Sequence, residues 1–305
     1  MCDRLTRNME TDPTRLAIDQ EARGYRYFRN AVERHWDPAE VDLSADAAAL
    51  AAADPSELDG LRAALGKFGA GEQAVTEDLA PLARVLDPVE DQLFVTTQLY
   101  EEAKHADFFD RYWREVIHEA EAELGLARSS PTDPAWFDDA YDELFARNER
   151  AMARLLDDDT PENRVRAYCH YHLVVEGVLA QTGYYGLTRV YGDEFEDSPT
   201  LPGLVEGINM IRGDEGRHVG FGMAKLEDLV DDGVDSALLH EVTGELLELV
   251  RAAVQPPESF DEEEPPLGPD ELAGYAAEKH AQRLRQITDD ATTVPDVEEL
   301  TALRS

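Results

Sequence analysis

The sequence has little cysteine and no long apolar run. Cys2 and Cys169 are the two cysteines among 305 residues. This excludes a disulfide framework and indicates that the protein resides in a reducing compartment, the cell interior. No stretch of about 18 uncharged apolar residues occurs, and therefore no membrane span is predicted. The charged start Met1-Cys2-Asp3-Arg4 lacks the apolar segment of a secretory signal. We therefore expect a cytoplasmic protein.

Positive charge is also scarce. Lys and Arg total 28 against 66 Asp and Glu, so the formal net charge is −38, and only four of the positive residues are lysine. So acidic a surface repels phosphates, which argues against nucleic-acid binding. Because molar salt screens charges beyond about 3 Å, the composition predicts a halophilic protein. The alternative, a disordered acidic chain, is disfavoured by 11 Tyr, 10 Phe and 3 Trp.

Capping and turn residues divide the chain into predicted helices. Asp54-Pro55, for example, supplies an N-cap followed by proline at the first helical position. Helices are expected over residues 20–33, 55–79, 88–121, 134–156, 161–191, 199–230, 235–254 and 269–288. The acidic, proline-rich segment 256–269 is predicted to be an exposed loop. We expect an N-terminal arm over 1–34, a single helical domain over 35–290 and a frayed tail over 291–305.

Glutamate and histidine recur with a spacing that suits metal binding. Glu-x-x-His occurs at Glu102/His105, Glu115/His118 and Glu215/His218. Positions i and i+3 share one helix face, so each pair could hold one ion. The second pair lies on the same predicted helix as the first but is rotated from it by roughly 220°. We therefore predict that Glu115 and His118 form a solvated pair and that the outer two pairs face the core.

Two lone glutamates complete a possible site. Glu176 lies within an apolar run, where an ionised carboxylate needs a metal or a buried arginine partner. Glu72 is the candidate on the remaining helix, with nearby Glu77 as its alternative. The predicted ligands are Glu72, Glu102, His105, Glu176, Glu215 and His218. Two Glu-x-x-His pairs and two lone glutamates form the ligand set of a di-metal four-helix bundle, and such hard ligands suit iron or manganese better than structural zinc.

This arrangement resembles the ribonucleotide reductase small-subunit superfamily. The resemblance covers roughly residues 30–230 and implies an all-α, ferritin-like four-helix bundle core with additional helices. The segment 36–46 looks like the N-terminal stretch in which a tryptophan, here Trp36, reaches towards the metal site. Asp214 matches an aspartate that holds the ring N–H of a ligand histidine, here expected to be His105.

Two features differ from a reductase subunit. Phe109 stands four residues after the first ligand histidine, where most such subunits have the radical-bearing tyrosine. No aromatic residue follows Tyr275, whereas the tail of a reductase subunit normally carries one that relays the radical. In both features the chain resembles a sister group of the reductase subunits, the ligand-binding oxidases.

The sister group implies a particular chemistry. Its members carry a manganese/iron pair and link a valine to a tyrosine, here Val75 and Tyr171, through an ether bond. The match at Val75 favours Glu72 over Glu77 as the ligand, although Val75 and Tyr171 could also be ordinary core residues. In an α-helix the five residues from Tyr171 to Glu176 rotate the chain by about 140°, so face geometry alone does not predict this pairing.

The same resemblance implies cofactors and partners. We expect Mn and Fe, or two Fe, together with O2, an unidentified electron donor and a homodimer. A long-chain fatty acid would bind at the metals in a tunnel, for which Ala74, Gly177 and Gly183 could leave room or could instead permit close helix packing. Two alternatives remain open: a reductase small subunit that requires a large partner, and a non-redox bundle that stores metal or is purely structural.

Overall fold

The protein is described by a computed structural model that covers residues 17–254, 266–289 and 292–301. We number its α-helices α1 (Arg23–Glu33), α2 (Asp46–Ala52), α3 (Pro55–Asp78), α4 (Ala80–Val85), α5 (Val89–Tyr112), α6 (His118–Glu123), α7 (Asp139–Arg154), α8 (Pro161–Tyr168), α9 (Gln181–Val190), α10 (Pro202–Asp231), α11 (Ala237–Ala253), α12 (Pro269–Thr288) and α13 (Val297–Leu300). Two π-helical segments, Trp113–Ile117 and Cys169–Ala180, join α5 to α6 and α8 to α9. The described residues contain no strand, so the expected all-α class is confirmed.

Four long elements enclose the centre of the molecule: α3, α5, the rod formed by α8, its π segment and α9, and α10. Apolar residues at helical spacing drive this packing; Leu58, Leu61 and Leu65 of α3 are all buried, and burial of each leucine side chain stabilises the fold by about 1.5–3 kcal/mol. Helices α1, α11 and α12 pack around this core. Among the described helices, none is both long and apolar enough to cross a bilayer.

Helix starts follow the capping chemistry, with two corrections. Asp54 Oδ1 accepts the N–H of Ser56 at 3.0 Å, and α3 begins at Pro55 as predicted. Asp133 starts only a single 3-10 turn, and α7 begins at Asp139, because the backbone is extended at Phe137 and Asp138 then caps the helix. Helix α10 likewise begins at Pro202 rather than at residue 199.

The tail differs from its prediction. Helix α13 packs on α1 and α10, and both Val297 and Thr301 are buried. A Cβ on Gly216 would approach the Leu300 carbonyl oxygen to 2.4 Å, so this glycine permits the close contact. The expectation of fraying is therefore wrong for residues 297–301, because apolar burial holds them. The division into arm, domain and tail otherwise stays a prediction. Parts of the predicted arm, loop and tail lie outside the described residues, at 1–16, 255–265, 290–291 and 302–305.

The π segment Cys169–Ala180 was not predicted and changes which residues share a face. Its side chains are nearly all buried, so apolar periodicity gives no sign of the altered pitch. A π-helix bonds residue i to i+5, which places residues five apart about one turn from each other. Tyr171 and Glu176 therefore face the same side of this rod, whereas an α-helix would rotate one away from the other.

Candidate metal centre

The first histidine of the predicted set faces three carboxylates. His105 Nδ1 lies 3.5 Å from an oxygen of each of Glu72, Glu102 and Glu215. One potential ligand atom from each of these four residues falls within 4.8 Å of the others, and all four residues are buried. Helices α3, α5 and α10 thus converge on one position that could hold a metal ion.

The second histidine defines a neighbouring position. His218 Nδ1 lies 3.1 Å from Glu102 Oε1, 3.5 Å from Glu176 Oε1 and 3.7 Å from Glu215 Oε2. Glu102 and Glu215 each turn one oxygen to this histidine and the other oxygen to His105. These two shared carboxylates make the arrangement that of a dinuclear centre.

Several of these atoms lack a hydrogen-bond partner. Among the described residues, the unpartnered atoms at the centre are Glu102 Oε2, His105 Nδ1, Glu176 Oε2, Glu215 Oε2 and His218 Nδ1. Buried polar atoms in folded proteins are nearly always paired, so a cluster of orphaned acceptors fits bound cations. Carboxylates and imidazoles suit iron or manganese. The structure brings all six predicted residues together, and their role as ligands stays a prediction.

The outer nitrogen of His105 makes the contact that the resemblance implied. His105 Nε2 donates to Asp214 Oδ2 at 3.0 Å, and Trp36 Nε1 donates to the same oxygen at 2.8 Å. The Trp36 indole also stacks on the His105 ring at 6.3 Å between centroids. Asp214 fixes the tautomer in which Nδ1 is free to bind a metal.

Glu101 holds the outer nitrogen of His218 in the same way, and the sequence analysis did not identify this residue. Its Oε2 accepts from His218 Nε2 at 2.9 Å, and Arg217 pairs with both Glu101 and Asp214. A signal was present, because residues 101–105 and 214–218 share the order acid, Glu, any residue, base, His. In each repeat the first acid holds the histidine of the other helix.

Two further contacts on the carboxylates were also missed. Gln98 Nε2 donates to Glu176 Oε1 at 2.9 Å, and the Tyr184 hydroxyl donates to Glu72 Oε1 at 2.7 Å. Both donors are buried, and both orient the glutamates that are not part of a Glu-x-x-His pair. No spacing rule links them to the ligands, because their contacts depend on how the helices pack.

Burial and mutual repulsion perturb the acids in the absence of ions. Burial, with the Glu102 charge, raises the pKa of Glu215 to about 7. Burial and then the neighbouring Glu215 hold the pKa of Glu176 well above its ordinary value. Burial alone would also raise the pKa of Asp214, but His105, Arg217 and Lys104 keep it well below the usual range. Asp214 therefore stays ionised. Burial would raise the pKa of Glu102 as well, but His218 and His105 hold it well below the usual range, so the raised pKa values favour protons on Glu176 and Glu215 until cations replace them.

Tyr171 and Val75 meet beside this cluster. The Tyr171 hydroxyl oxygen lies 3.2 Å from the Val75 carbonyl oxygen and 3.2 Å from Glu102 Oε1. Burial, followed by the charge of Glu102, raises the pKa of the Tyr171 phenol well above its ordinary value. A protonated phenol is thus held between a backbone oxygen of Val75 and a carboxylate of the centre.

A cavity of about 320 Å³ opens onto the same carboxylates. All four inner glutamates line it and neither histidine does, while most of the remaining wall is apolar. Of the small residues considered above, Gly183 lies in the wall, whereas Ala74 and Gly177 do not. Gly177 instead allows a close approach of Arg283, since a Cβ there would lie 3.3 Å from a guanidinium nitrogen.

Known proteins share this architecture. The family model described as ribonucleotide reductase, small chain, matches residues 20–293. The chain belongs to this family. Solved relatives include two R2-like ligand-binding oxidases with anaerobically reconstituted Mn/Fe cofactor, a valine-to-leucine mutant and a valine-to-isoleucine mutant. Each of the two is 30% identical in sequence to this chain and superposes with a TM-score of 0.76. The match covers 89% of this chain and 95% of the relative. A tyrosine-to-phenylalanine mutant with aerobically reconstituted Mn/Fe cofactor is 29% identical over the same shares, with a TM-score of 0.73.

Membership of the small-chain family agrees with the ferritin-like fold expected from the sequence. The third Glu-x-x-His lies away from the centre: exposed Glu115 pairs with Arg111 at 3.1 Å, and half-buried His118 bonds the Ser129 carbonyl oxygen at 3.1 Å. Phe109 stacks on Phe68 at 5.4 Å and has no hydroxyl to oxidise.

Proposed function

We propose that this chain is an O2-activating oxidase with a manganese/iron, or di-iron, pair at the centre just described. The observation that carries this function is the Tyr171 hydroxyl, which contacts both Val75 and Glu102 at 3.2 Å. The R2-like ligand-binding oxidases that share 29–30% identity have Mn/Fe cofactors, which supports the choice of metals.

The six residues would divide between two ions. His105 and Glu72 would hold one ion, His218 and Glu176 the other, and Glu102 and Glu215 would lie between them. When bound in its reduced state, the pair would supply one electron from each ion; together with two electrons and two protons from the protein and two further protons from solvent, these would reduce O2 to two water molecules. The buried surroundings exclude bulk water from this chemistry.

The protein would release its two electrons when an ether bond forms between Val75 and Tyr171. The Val75 Cβ–H and the Tyr171 O–H bonds break, a Cβ–O bond forms, and two protons and two electrons leave towards O2. Before reaction, Glu102 Oε1 and the Val75 carbonyl oxygen hold the phenol in place. Mutants of the relatives change a glycine, a glutamate and a valine whose spacing matches Gly71, Glu72 and Val75, which supports this assignment.

The cavity is the proposed site for a long-chain fatty acid. Its apolar wall, which includes Phe145, Leu179 and Leu272, suits an alkyl chain, and its inner end reaches the carboxylates around the proposed ions. A cavity of about 320 Å³ lies in the range of ligand pockets. The fatty-acid carboxylate would be directed to the ions and the alkyl chain to the outer end.

Intact mass after aerobic loading with Mn(II) and Fe(II) tests the proposal. We expect the mass to fall by about two hydrogens, together with a proteolytic peptide pair joined at Val75 and Tyr171. The matched control is Tyr171→Phe, which should load metal but keep its mass, because the phenol oxygen is missing. An unchanged mass in fully loaded wild-type protein would contradict the cross-link.

A second candidate is a reductase small subunit, which the family match favours. It would give a radical signal after O2 exposure and would bind a large catalytic subunit, although Phe109 replaces the usual radical tyrosine. A metal-storage or structural bundle would instead bind many ions per chain, or none. We also propose a homodimer, as the resemblance implies, and sedimentation of the loaded protein tests it.

A further inference from the structure

The two carboxylates that hold the metal-facing histidines have different surroundings. Asp214 accepts hydrogen bonds from three donors, Trp36 Nε1 at 2.8 Å, His105 Nε2 at 3.0 Å and Arg217, and its Oδ2 also forms an ion pair with Lys104 Nζ at 2.7 Å. Glu101 accepts from two of the described side chains: His218 Nε2 at 2.9 Å and Arg217. Arg217 serves both acids, so Lys104 and Trp36 make the difference.

This difference affects how strongly each histidine can donate to a metal. A carboxylate that accepts an imidazole N–H makes the opposite nitrogen more basic. A cation and extra donors on the same carboxylate weaken that effect, because they draw away its negative charge. The Lys104 side chain is 3% exposed, so little solvent is present to screen its charge.

We propose that Lys104 is a positioning residue that makes the two metal positions chemically unequal. It draws charge from Asp214 and so leaves His105 a weaker ligand than His218, whose partner Glu101 has no such lysine among the described side chains. The inference rests on the proposed binding of two ions by the six residues. The competing explanation is that Lys104 only neutralises a buried aspartate, without influence on the relative strength of the two positions.

Partial loading with one probe ion separates these explanations. Lys104→Met removes the charge and keeps most of the side-chain length. The matched control is Lys225→Met, because Lys225 forms a similar ion pair between α10 and α5, at 2.6 Å from Asp91, and does not contact Asp214. Each apo protein receives one equivalent of cobalt(II) without O2. Anomalous scattering at the cobalt edge then gives the occupancy of each position in the crystal.

We expect Lys104→Met to shift the occupancy ratio towards the His105 position by about tenfold, the lower end of the effect usual for groups that orient ligands. Lys225→Met should keep the wild-type ratio, and Lys104→Arg should restore it. An unchanged ratio, a shift equal to that of Lys225→Met, or loss of cobalt from the His105 position would overturn the inference.

Two further outcomes are also decisive. Wild-type protein that binds no cobalt would remove the proposed function and this inference together, whereas two occupied positions with an unchanged ratio would remove the inference alone. If Lys104→Met does not fold, Trp36→Phe replaces it, because this change deletes one N–H donor to Asp214. A smaller shift in the same direction is then expected, and an unchanged ratio would again overturn the inference.

Discussion

The two sides of the buried carboxylates are built differently. On one side, Asp214, Glu101, Lys104 and Arg217 fill the space with buried charges that bond one another and the outer nitrogens of both histidines. On the other side, the four glutamates border an apolar cavity of about 320 Å³. Buried charged side chains occupy the packed side, whereas the wall of the open side is mostly apolar beyond the glutamates.

This contrast assigns separate tasks to the two sides. The packed side fixes the orientation of His105 and His218, because each outer ring nitrogen has a partner on the other helix. The open side leaves the glutamates accessible to a small reactant or an apolar chain. Changes to the glutamates or on the packed side should therefore alter metal binding, and changes in the apolar part of the cavity wall should alter ligand binding while metal is retained.

The largest expected effect follows from removal of a glutamate on the open side. Glu176→Ala deletes a carboxylate that lies 3.5 Å from His218 Nδ1. We expect at least one of the two ions per chain to be lost, measured by elemental analysis after anaerobic loading. Glu115→Ala removes an exposed glutamate from the third Glu-x-x-His and should keep both ions. Two ions in Glu176→Ala would exclude Glu176 as a ligand.

A smaller effect is expected on the packed side. Glu101→Gln weakens the acceptor that orients His218, and a change of this kind typically lowers metal affinity by about 10–100-fold. Competition between the protein and a chelator for Mn(II) measures the loss, which should concern one ion of the pair. Glu119→Gln, an exposed change on α6, serves as the control. An equal loss of affinity for both ions would show that Glu101 acts on the whole centre and not on His218 alone.

The smallest expected effect concerns the cavity wall. A Cβ on Gly183 would lie 2.4 Å from the Phe68 ring, which also stacks on Tyr184 at 4.7 Å. Gly183→Ala should therefore displace Phe68, lower the free energy of unfolding by about 1–3 kcal/mol and reduce fatty-acid binding several-fold, with both ions retained. Displacement of a fluorescent fatty acid measures the binding.

The matched glycine for that experiment is Gly60, which also lines the cavity but has open space where its Cβ would lie. Gly60→Ala should stabilise α3 by about 0.5–1 kcal/mol and leave ligand binding unchanged. Loss of metal from Gly183→Ala would contradict the division of tasks between the two sides.

Much of the centre could be predicted because its signals are local in sequence. The Glu-x-x-His spacing and the apolar run around Glu176 predicted five of the six side chains that meet, whereas Glu72 was preferred to Glu77 through the resemblance, and Asp54 marked the start of α3. The contacts of Gln98 and Tyr184 depend on how separate helices pack, so no local pattern reveals them. Glu101 was overlooked although its repeat was visible.

The π pitch and the tail were missed for a different reason. A segment buried on every side gives no period, so the sequence around Tyr171 does not distinguish i+4 from i+5 hydrogen bonding. Residues 297–301 are polar enough to suggest fraying, and only the contact with α10 shows otherwise. Both features depend on tertiary contacts that appear only once the helices are assembled.

The buried charges around the two histidines have a consequence for how the protein acquires metal. Six acids, Glu72, Glu101, Glu102, Glu176, Asp214 and Glu215, face two bases, Lys104 and Arg217, all of them buried. When every acid is ionised, four negative charges remain, which equals the charge that two divalent ions would neutralise. Protons on Glu176 and Glu215 offset part of this charge until ions replace them, and the melting temperature should rise with each ion that enters.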